Sequence, residues 1–301
     1  MPKAVNGGET KTSDPWERVT VVFVVHNSAG ILPETLDNLK GAHRVIIIDN
    51  NSDDDSAEMA LKLHPGAEVV RRTDNLGLTI ASNQGFQMAE TEYVLHINPD
   101  IKFADGCLER MVQTADENPN AAVVGPLLYN HRNDMELDVM HGNELRHQKI
   151  QVQPDGPFCT WFVTGAVCLW RRQALEELGG FDENIFLYYE DSDLCLRAAK
   201  ADWSLVVEPR AKGHHYGGQS GTFSYKLCWR RDWNFAWGQL YFEAKHGDEV
   251  AARRVGWTSI ARYSWSALIG LLRLRPLKVV GPLARVAGTL HWLRGKPSWG
   301  R

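Results

Sequence analysis

Short apolar runs alternate with helical patterns over the first hundred residues of the chain. The β-branched run 19–25 (VTVVFVV) predicts a buried strand, and the runs 44–48 and 93–97 predict two more. The stretches between them predict helices at residues 32–40, 56–64 and 80–89. Buried strands separated by helices are typical of a parallel sheet that is covered on both faces. The pattern therefore predicts an α/β fold.

Polar residues follow these strands directly and give the first indication of function. Asn27, Asp49 and Asp100 each come just after an apolar run. In parallel α/β sheets, ligands collect beyond the carboxyl ends of the strands. We therefore expect a ligand site at this edge of the sheet.

The last third of the chain has a different character. Residues 204–208 predict an edge strand, and helices rich in aromatic residues follow from residue 222. Residues 250–301 contain ten Lys and Arg but no Asp or Glu, although the chain of 301 residues has a net charge of −4. Such a basic segment indicates an anionic surface as its partner. Its longest uncharged run has ten residues, where about 20 are needed to span a bilayer, so no membrane span is predicted.

The composition narrows the class of protein. With 44% hydrophobic and 23% charged residues, the chain can bury a full core, which excludes wholesale disorder. Its five cysteines are widely spaced and form no CxxC motif, so we expect reduced thiols rather than disulfides or a zinc site. The N-terminal residues lack the pattern of a signal peptide, and a cytoplasmic location is predicted.

Two of the strand-end motifs offer carboxylates. Asp49 could accept hydrogen bonds from a nucleobase or from ribose hydroxyls, while Ser52 or residues 53–55 could instead cap the following helix. Asn98-Pro99-Asp100 offers a carboxylate for Mg²⁺ or Mn²⁺, and the same triplet is typical of a simple turn. Both interpretations stay open at each motif.

Asn, Gly and His motifs add weaker signals. The segments 74–77 (DNLG) and 83–85 (NQG) could let the backbone approach a ligand closely, or could form ordinary turns. His215 stands in a histidine pair beside a glycine-rich segment, where an imidazole could complete a metal site, contact phosphate or be structural.

Residues 190–193 (EDSD) place three carboxylates at the beginning of a predicted helix, behind an aromatic run at 186–189. Capping and the helix dipole explain one or two of these acids. They do not explain the hydrophobic segment that holds the acids in place. A partly buried carboxylate with a raised pKa is a good general base, so we expect this motif to supply one.

Six blocks of the sequence, taken together, resemble the family 2 glycosyltransferases, which have the GT-A fold. In order they are VVFVVHNSAG, VIIIDNNSDDDS, DNLGLTIASNQGF, YVLHINPD, FVTGAVCLWRRQALEELGGFDENIFLYYEDSDLCLRAAKADW and HHYGGQS. Within this family the chain is most similar to bacterial rhamnosyltransferases of cell-surface polysaccharides. The resemblance implies a GT-A catalytic domain with a Rossmann-like mixed sheet at 19–245, after a flexible leader at 1–18 and before a basic, Trp-rich helical tail at 246–301.

The resemblance implies inverting transfer of a sugar, L-rhamnose from dTDP-rhamnose as the first candidate, from a nucleotide-diphospho-sugar to an acceptor hydroxyl. It implies Asp191 as the catalytic base, with Glu190 orienting the acceptor or the base. The residues implied for the donor nucleotide are Asn27, Asp49, Asn75, Gly77, Asn83 and Asn98. Those implied for the sugar and acceptor pocket are Thr164, Gly165 and Ala166. Asp100 and His215 are the implied ligands of a divalent cation, Mg²⁺ or Mn²⁺, but Asn98 replaces the first Asp of the family's DxD motif and leaves open whether the metal is required.

The tail carries the expectation about location. Its apolar face is flanked by arginines 253, 254, 262 and 273 and consists of Trp257, Ile260, Trp265, Leu268 and Leu272. This apolar face predicts a helix that lies on the anionic inner surface of the cell membrane, where a lipid-linked acceptor would be presented. The alternative is a helix packed on the catalytic domain or on a second subunit of a homodimer.

Other functions are less favoured by the sequence. A non-catalytic sugar-nucleotide-binding protein on the same fold is the main alternative, motivated by Asn98. A nucleotidyltransferase would need Lys or Arg in its phosphate loop, and the segment HNSAG has neither. Nucleic-acid binding is not expected because the tail contains no recognisable module.

Overall fold

The computed structural model describes residues 14–136, 154–216 and 224–299, which form two compact units. The first unit holds the described residues of Met1–Asn75, Ile80–Phe181 and Asp191–Gly221. The second holds those of Leu76–Thr79, Asp182–Glu190 and Thr222–Arg301. Most of the predicted leader lies outside the described residues, and its last four residues form a 3-10 helix at Pro15–Arg18. The division into leader, catalytic domain and tail stays a prediction.

The first unit is built on one mixed sheet. Its described strands are β1 (Val19–Val25), β2 (Arg44–Asp49), β3 (Glu68–Arg71), β4 (Tyr93–Ile97), β5 (Ile101–Phe103), β6 (Ala121–Tyr129), β7 (Met135–Glu136), β8 (Phe158–Thr160), β9 (Val167–Arg171) and β10 (Ser204–His215). They lie in the order β3-β2-β1-β4-β9-β6-β10-β5, with β7 on β6 and β8 on β10. The helices between strands are α1 (Leu32–Asp37), α2 (Ser56–Leu63), α3 (Leu78–Met88), α4 (Cys107–Glu117), α5 (Arg172–Leu178) and α6 (Glu190–Lys200).

The predicted parallel region is the half of the sheet formed by β3, β2, β1 and β4. All seven residues of β1 are buried, because hydrophobic clusters cover both faces of the sheet. The other half is mixed, since β9 lies between β4 and β6 and is antiparallel to both. The α/β prediction with a mixed sheet is therefore confirmed.

The predicted edge strand at 204–208 is wrong in extent and in position. The strand is β10, which runs for 12 residues between β6 and β5 and also pairs with β8. Its polar residues suggest exposure, but Glu208 is fully buried. The carboxylate of Glu208 accepts hydrogen bonds from Thr114 Oγ1 at 2.8 Å and from Arg210 Nη2 at 2.7 Å, and these bonds offset the cost of burial.

The second unit is mainly helical, as predicted. Its long helices are α7 (Tyr225–His246), α8 (Glu249–Leu272) and α9 (Leu277–Leu293), which pack pairwise around a tryptophan-rich core. Over the residues described, no helix combines the length and the apolar character that crossing a membrane requires.

Candidate active site

The strand directions bring several predicted residues to one edge of the sheet. β1, β2 and β4 are parallel, so the residues that follow them, Asn27, Asp49 at the last position of β2 and Asn98, share that edge. β9 is antiparallel to β4, and its beginning therefore lies at the same edge, with Val167 opposite Ile97. The backbone amide of Asn98 donates a hydrogen bond to the carbonyl of Ala166 at 2.8 Å.

The loops after β1 and β2 are tied together by their polar side chains. Oδ1 of Asp49 accepts a hydrogen bond from the amide of Ser52 at 2.9 Å, and Ser52 Oγ accepts one from the amide of Asn27 at 3.0 Å. Oδ1 of Asn27 accepts from the amide of Asp53 at 2.7 Å. The N-cap residue of α2 is Asp55, which belongs to the run 53–55 predicted as an alternative cap, so Ser52 does not cap that helix. The loops form one ordered platform around Asp49.

Asn75 joins this platform, because its Oδ1 accepts a hydrogen bond from Nδ2 of Asn50 at 3.1 Å. Asn83 is buried, and both ends of its amide bind the backbone of Phe181, at 2.9 and 2.8 Å. Gly77 belongs to the second unit and has φ +97°, with a would-be Cβ only 2.5 Å from the carbonyl oxygen of Phe186. The structure thus gives Asn83 and Gly77 structural contacts, and their contact with a nucleotide stays a prediction.

A second group lies where β10 meets β5. His215 is opposite Ile101 in this ladder and therefore lies next to Asp100. His215 Nε2 is 3.5 Å from Asp100 Oδ1, and its Nδ1 is 3.3 Å from Glu136 Oε2. Burial alone would lower the pKa of His215, but hydrogen bonds and charges of Asp100 and Glu136 outweigh it and raise the pKa to about 9.

Asp100 and His215 fit a divalent cation by their chemistry, provided that the cation displaces the proton that the raised pKa keeps on His215. A carboxylate oxygen and an imidazole nitrogen are both common ligands of Mn²⁺, and carboxylates also suit Mg²⁺. Over the described ranges, no group of three or more His, Cys, Asp or Glu side chains is arranged to hold a metal ion. The protein therefore offers a partial set of ligands, to which the oxygens of a bound diphosphate could be added.

Sequence reasoning missed Glu136. This residue lies on the two-residue strand β7, 79 positions before His215 in the chain. It falls in a polar stretch without periodicity, so no local signal could have identified it. Its contact with His215 depends on the pairing of β7 with β6 and of β6 with β10.

The predicted base is held by backbone amides. Oδ2 of Asp191 accepts a hydrogen bond from the amide of Gly165 at 3.0 Å, and its Oδ1 accepts from the amide of Ser192 at 2.7 Å. The segment Thr164 to Ala166 therefore lies against Asp191, and its role as the sugar and acceptor pocket stays a prediction. Asp191 as a whole is half-buried.

The chain bends sharply just before this base. Tyr188 and Tyr189 have φ of 69° and 74°, the left-handed region that aromatic residues rarely adopt. The second unit supports this bend, because the ring of Phe235 contacts both tyrosine rings, with centroids 6.0 and 5.3 Å apart. Glu190 follows as the first residue of α6, with its side chain buried.

Comparison with known proteins identifies the family of the chain. The model of the family described as "Glycosyl transferase family 2" matches residues 20–179, more than half of the chain. An N-acetylglucosaminyl-diphospho-decaprenol L-rhamnosyltransferase of Mycobacterium tuberculosis is 27% identical over 207 residues, which cover 58% of this chain and 67% of the relative. The rhamnosyltransferase WbbL of Escherichia coli is 23% identical over 227 residues, covering 66% of this chain and 83% of the relative.

Solved structures agree on the fold. The mannosyltransferase PcManGT from Pyrobaculum calidifontis, in complex with GDP-Man and Mn²⁺, has a TM-score of 0.61 at 18% identity, over 93% of this chain and 88% of its own. Residues 1–349 of TarS from S. aureus give 0.54 at 14% identity, over 93% and 92%. The sheet is that of a GT-A enzyme. The chain therefore belongs to glycosyl transferase family 2 and is a glycosyltransferase.

Proposed function

We propose that this glycosyltransferase inverts the anomeric centre of a sugar that it moves from a nucleotide diphosphate to an acceptor hydroxyl. The observation that carries the proposal is the carboxylate of Asp191, which backbone amides of Gly165 and Ser192 hold in one orientation. A carboxylate fixed in this way can take the proton of an acceptor hydroxyl. The acceptor oxygen then bonds to the anomeric carbon while the bond to the diphosphate breaks, and the electron pair leaves with the diphosphate.

The donor's nucleotide would bind at the platform around Asp49. This carboxylate is nearly buried but lies at the carboxyl edge of the sheet, where α/β folds bind their ligands. Asn27, Asn75 and Asn98 add amide groups at the same edge. Gly77 and Asn83 shape the segment of the chain that follows Asn75. Glu190, next to Asp191 in the chain, would orient the acceptor or the base.

A divalent cation, Mn²⁺ or Mg²⁺, would be held by Asp100 and His215. When bound, such a cation neutralises charge that develops on the leaving diphosphate. Asn98 contributes an amide where a second carboxylate is expected, so the protein supplies less negative charge to the cation. His215 is kept in place by Glu136, whatever occupies its other side.

We propose L-rhamnose as the sugar, with dTDP-rhamnose as its donor, and a lipid-linked glycan as the acceptor. Two relatives named as rhamnosyltransferases support the sugar. The name of the mycobacterial relative includes a decaprenyl diphosphate, which supports a lipid-linked acceptor. Such an acceptor is confined to a membrane, and we propose that the basic tail at 250–301 binds the anionic inner face of the cell membrane.

Calorimetric titration with dTDP, UDP and GDP, each with and without Mn²⁺, tests the donor. We expect tighter binding of dTDP, further strengthened by Mn²⁺, whereas preference for another nucleotide would overturn the choice of rhamnose.

The variant Asp191→Asn tests the base. Binding of dTDP should persist and turnover should fall about 10²- to 10⁴-fold. Asp105→Asn, which changes an exposed carboxylate, is the control. Turnover retained by Asp191→Asn would contradict the mechanism.

A further inference from the structure

The connection between α8 and α9 exposes an unusual run of residues. We call residues 271–278 (LLRLRPLK) the apex, and all eight of them are exposed. The leucines of the apex at 271, 272, 274 and 277 are 60%, 75%, 88% and 49% exposed. Single exposed leucines are ordinary on a protein surface, but four within seven residues form a patch that indicates a binding surface.

Leu274 shows that folding does not account for this patch. The amide of Arg275 donates to the carbonyl of Gly270 and that of Leu274 to the carbonyl of Leu271, both at 3.0 Å. These two bonds define a Schellman motif, in which the residue at the position of Leu274 is left-handed and is usually Gly. Leu274 has φ 51° and thus adopts a conformation that costs free energy for any residue with a Cβ. The fold would be better served by Gly, and the side chain of Leu274 contributes little packing in return.

Helix α8 extends the patch. It packs through small residues and turns its large apolar ones outward, the reverse of a helix on a water-soluble surface. Its buried residues are Ala252, Gly256, Ser259, Ala267 and Gly270. On the opposite side, Trp257, Trp265 and Leu268 are 61%, 64% and 45% exposed. Of the predicted apolar face, Ile260 alone is half-buried, because it lies at the border of the packed side.

The charges of the apex identify the kind of partner. Arg273, Arg275 and Lys278 are interleaved with the leucines, and residues 250–301 contain no Asp or Glu. A partner must therefore be apolar and anionic at once, which describes the headgroup boundary of an anionic bilayer. A second copy of the chain fits poorly, because a two-fold axis through this patch would bring the same three cations together.

We propose that the apex inserts its leucines into an anionic lipid surface while Arg273, Arg275 and Lys278 bind the lipid phosphates. The inference rests on the membrane association proposed above and assigns it to particular residues. Leu274 is its centre: the left-handed backbone presents this side chain beyond the end of α8, where none of the described residues covers it.

Sedimentation of the full chain with vesicles tests the apex. The vesicles contain phosphatidylcholine alone, or phosphatidylcholine with 30% phosphatidylglycerol, a fraction of roughly one third chosen to resemble an anionic leaflet. Leu274→Gly removes both the side chain and the backbone strain, so we expect an unchanged or higher Tm and at least about 10-fold weaker binding to the anionic vesicles. Leu63→Gly, at the last residue of α2, removes another exposed leucine at a helix end and should leave binding unchanged.

A second pair of variants tests the contribution of the positive charges of the apex. Arg273→Gln, Arg275→Gln and Lys278→Gln together should weaken binding to the anionic vesicles about 100-fold. The control replaces three exposed cations of the first unit, Lys62, Arg110 and Arg132, by Gln and thus keeps the same net charge. We expect this control to bind nearly as the unaltered protein does.

The outcomes separate the two proposals. If the unaltered protein binds neither vesicle, the proposal of membrane association and the proposal about the apex are both overturned. Sugar transfer can still be assayed on a soluble acceptor. If the unaltered protein binds and the apex variants bind equally well, membrane association stands and the apex is overturned. Apex variants that abolish a dimer, seen by light scattering, without changing vesicle binding would also overturn it.

Discussion

The backbone amide of Gly165 donates a hydrogen bond of 3.0 Å to Oδ2 of Asp191, 26 residues further along the chain. A Cβ on Gly165 would lie 3.1 Å from Cβ of Asp191 and 3.3 Å from its Oδ2. The loop before β9 therefore holds the proposed base by both a hydrogen bond and a close approach. Gly is favoured at position 165 because a larger residue would crowd Asp191, and the sequence alone does not reveal this contact.

Gly165→Ala is expected to displace the Asp191 carboxylate by a few tenths of an ångström. Because catalysis depends on the position of the base, kcat should fall about 10- to 100-fold while the KM for the donor changes little. Steady-state kinetics and a thermal melt check this split. Gly66→Ala, where a Cβ would contact nothing, serves as the control. An unchanged kcat would show that Gly165 does not position the base.

His215→Gln tests the proposed cation site. The change removes an imidazole ligand of the proposed cation. We therefore expect the factor by which Mn²⁺ increases the affinity for dTDP to be about 10-fold smaller than in the unaltered protein. Binding of dTDP without metal should be unaffected, as calorimetry can show. His214→Gln is the matched control, because His214 is the neighbour of His215 on β10 and its ring contacts the rings of Tyr129 and Tyr216 instead of Asp100. An equal effect of both variants would refute a specific role of His215.

Gly238→Ala tests the support of the bend before the base. In most helices this change stabilises by about 1 kcal/mol, but here the new Cβ would lie 2.8 Å from the carbonyl oxygen of Tyr188. We expect the free energy of unfolding to decrease by about 1–3 kcal/mol and kcat to fall as the bend shifts. Gly256→Ala in α8 meets only flexible leucine ends at 3.3 Å and should cost less. Urea unfolding of both variants compares them, and a stabilised Gly238→Ala would disprove the clash.

His96 is expected to make stability depend on pH. It is buried on β4, and burial lowers its pKa to about 4 from an ordinary value of 6.5. The unfolded chain therefore binds a proton that the folded chain does not, so stability falls as pH drops from about 6.5 to about 4. The loss is roughly 3 kcal/mol.

Urea unfolding at several pH values between 7 and 4 measures this dependence. The comparison is with His96→Gln, which keeps a partner for the hydroxyl of Ser82, 3.0 Å from Nε2 in the unaltered protein. The difference between the two curves isolates the histidine from the carboxylates that also titrate in this range. Parallel curves would contradict the prediction.

The sequence by itself determined the parallel half of the sheet and the residues at its carboxyl edge. Apolar periodicity is local, and it identified β1 and β4 with the bounds that the structure has. Because parallel strands end on the same side, Asn27 and Asp49 could be placed together without knowledge of the tertiary structure. The resemblance to the family also identified Asp191 at the beginning of a predicted helix, which is α6 in the structure.

Tertiary structure alone decided which distant residues meet. Glu136 contacts His215 only through the pairing of three strands, and β10 lies between β6 and β5 although the sequence predicted an edge strand. The sequence also could not show that α8 buries its small residues and exposes its tryptophans, nor that Leu274 is left-handed. The physical reason is the same throughout: periodicity along a chain reports how much of a segment is buried, whereas strand register and helix packing are set by non-local contacts that leave no local pattern.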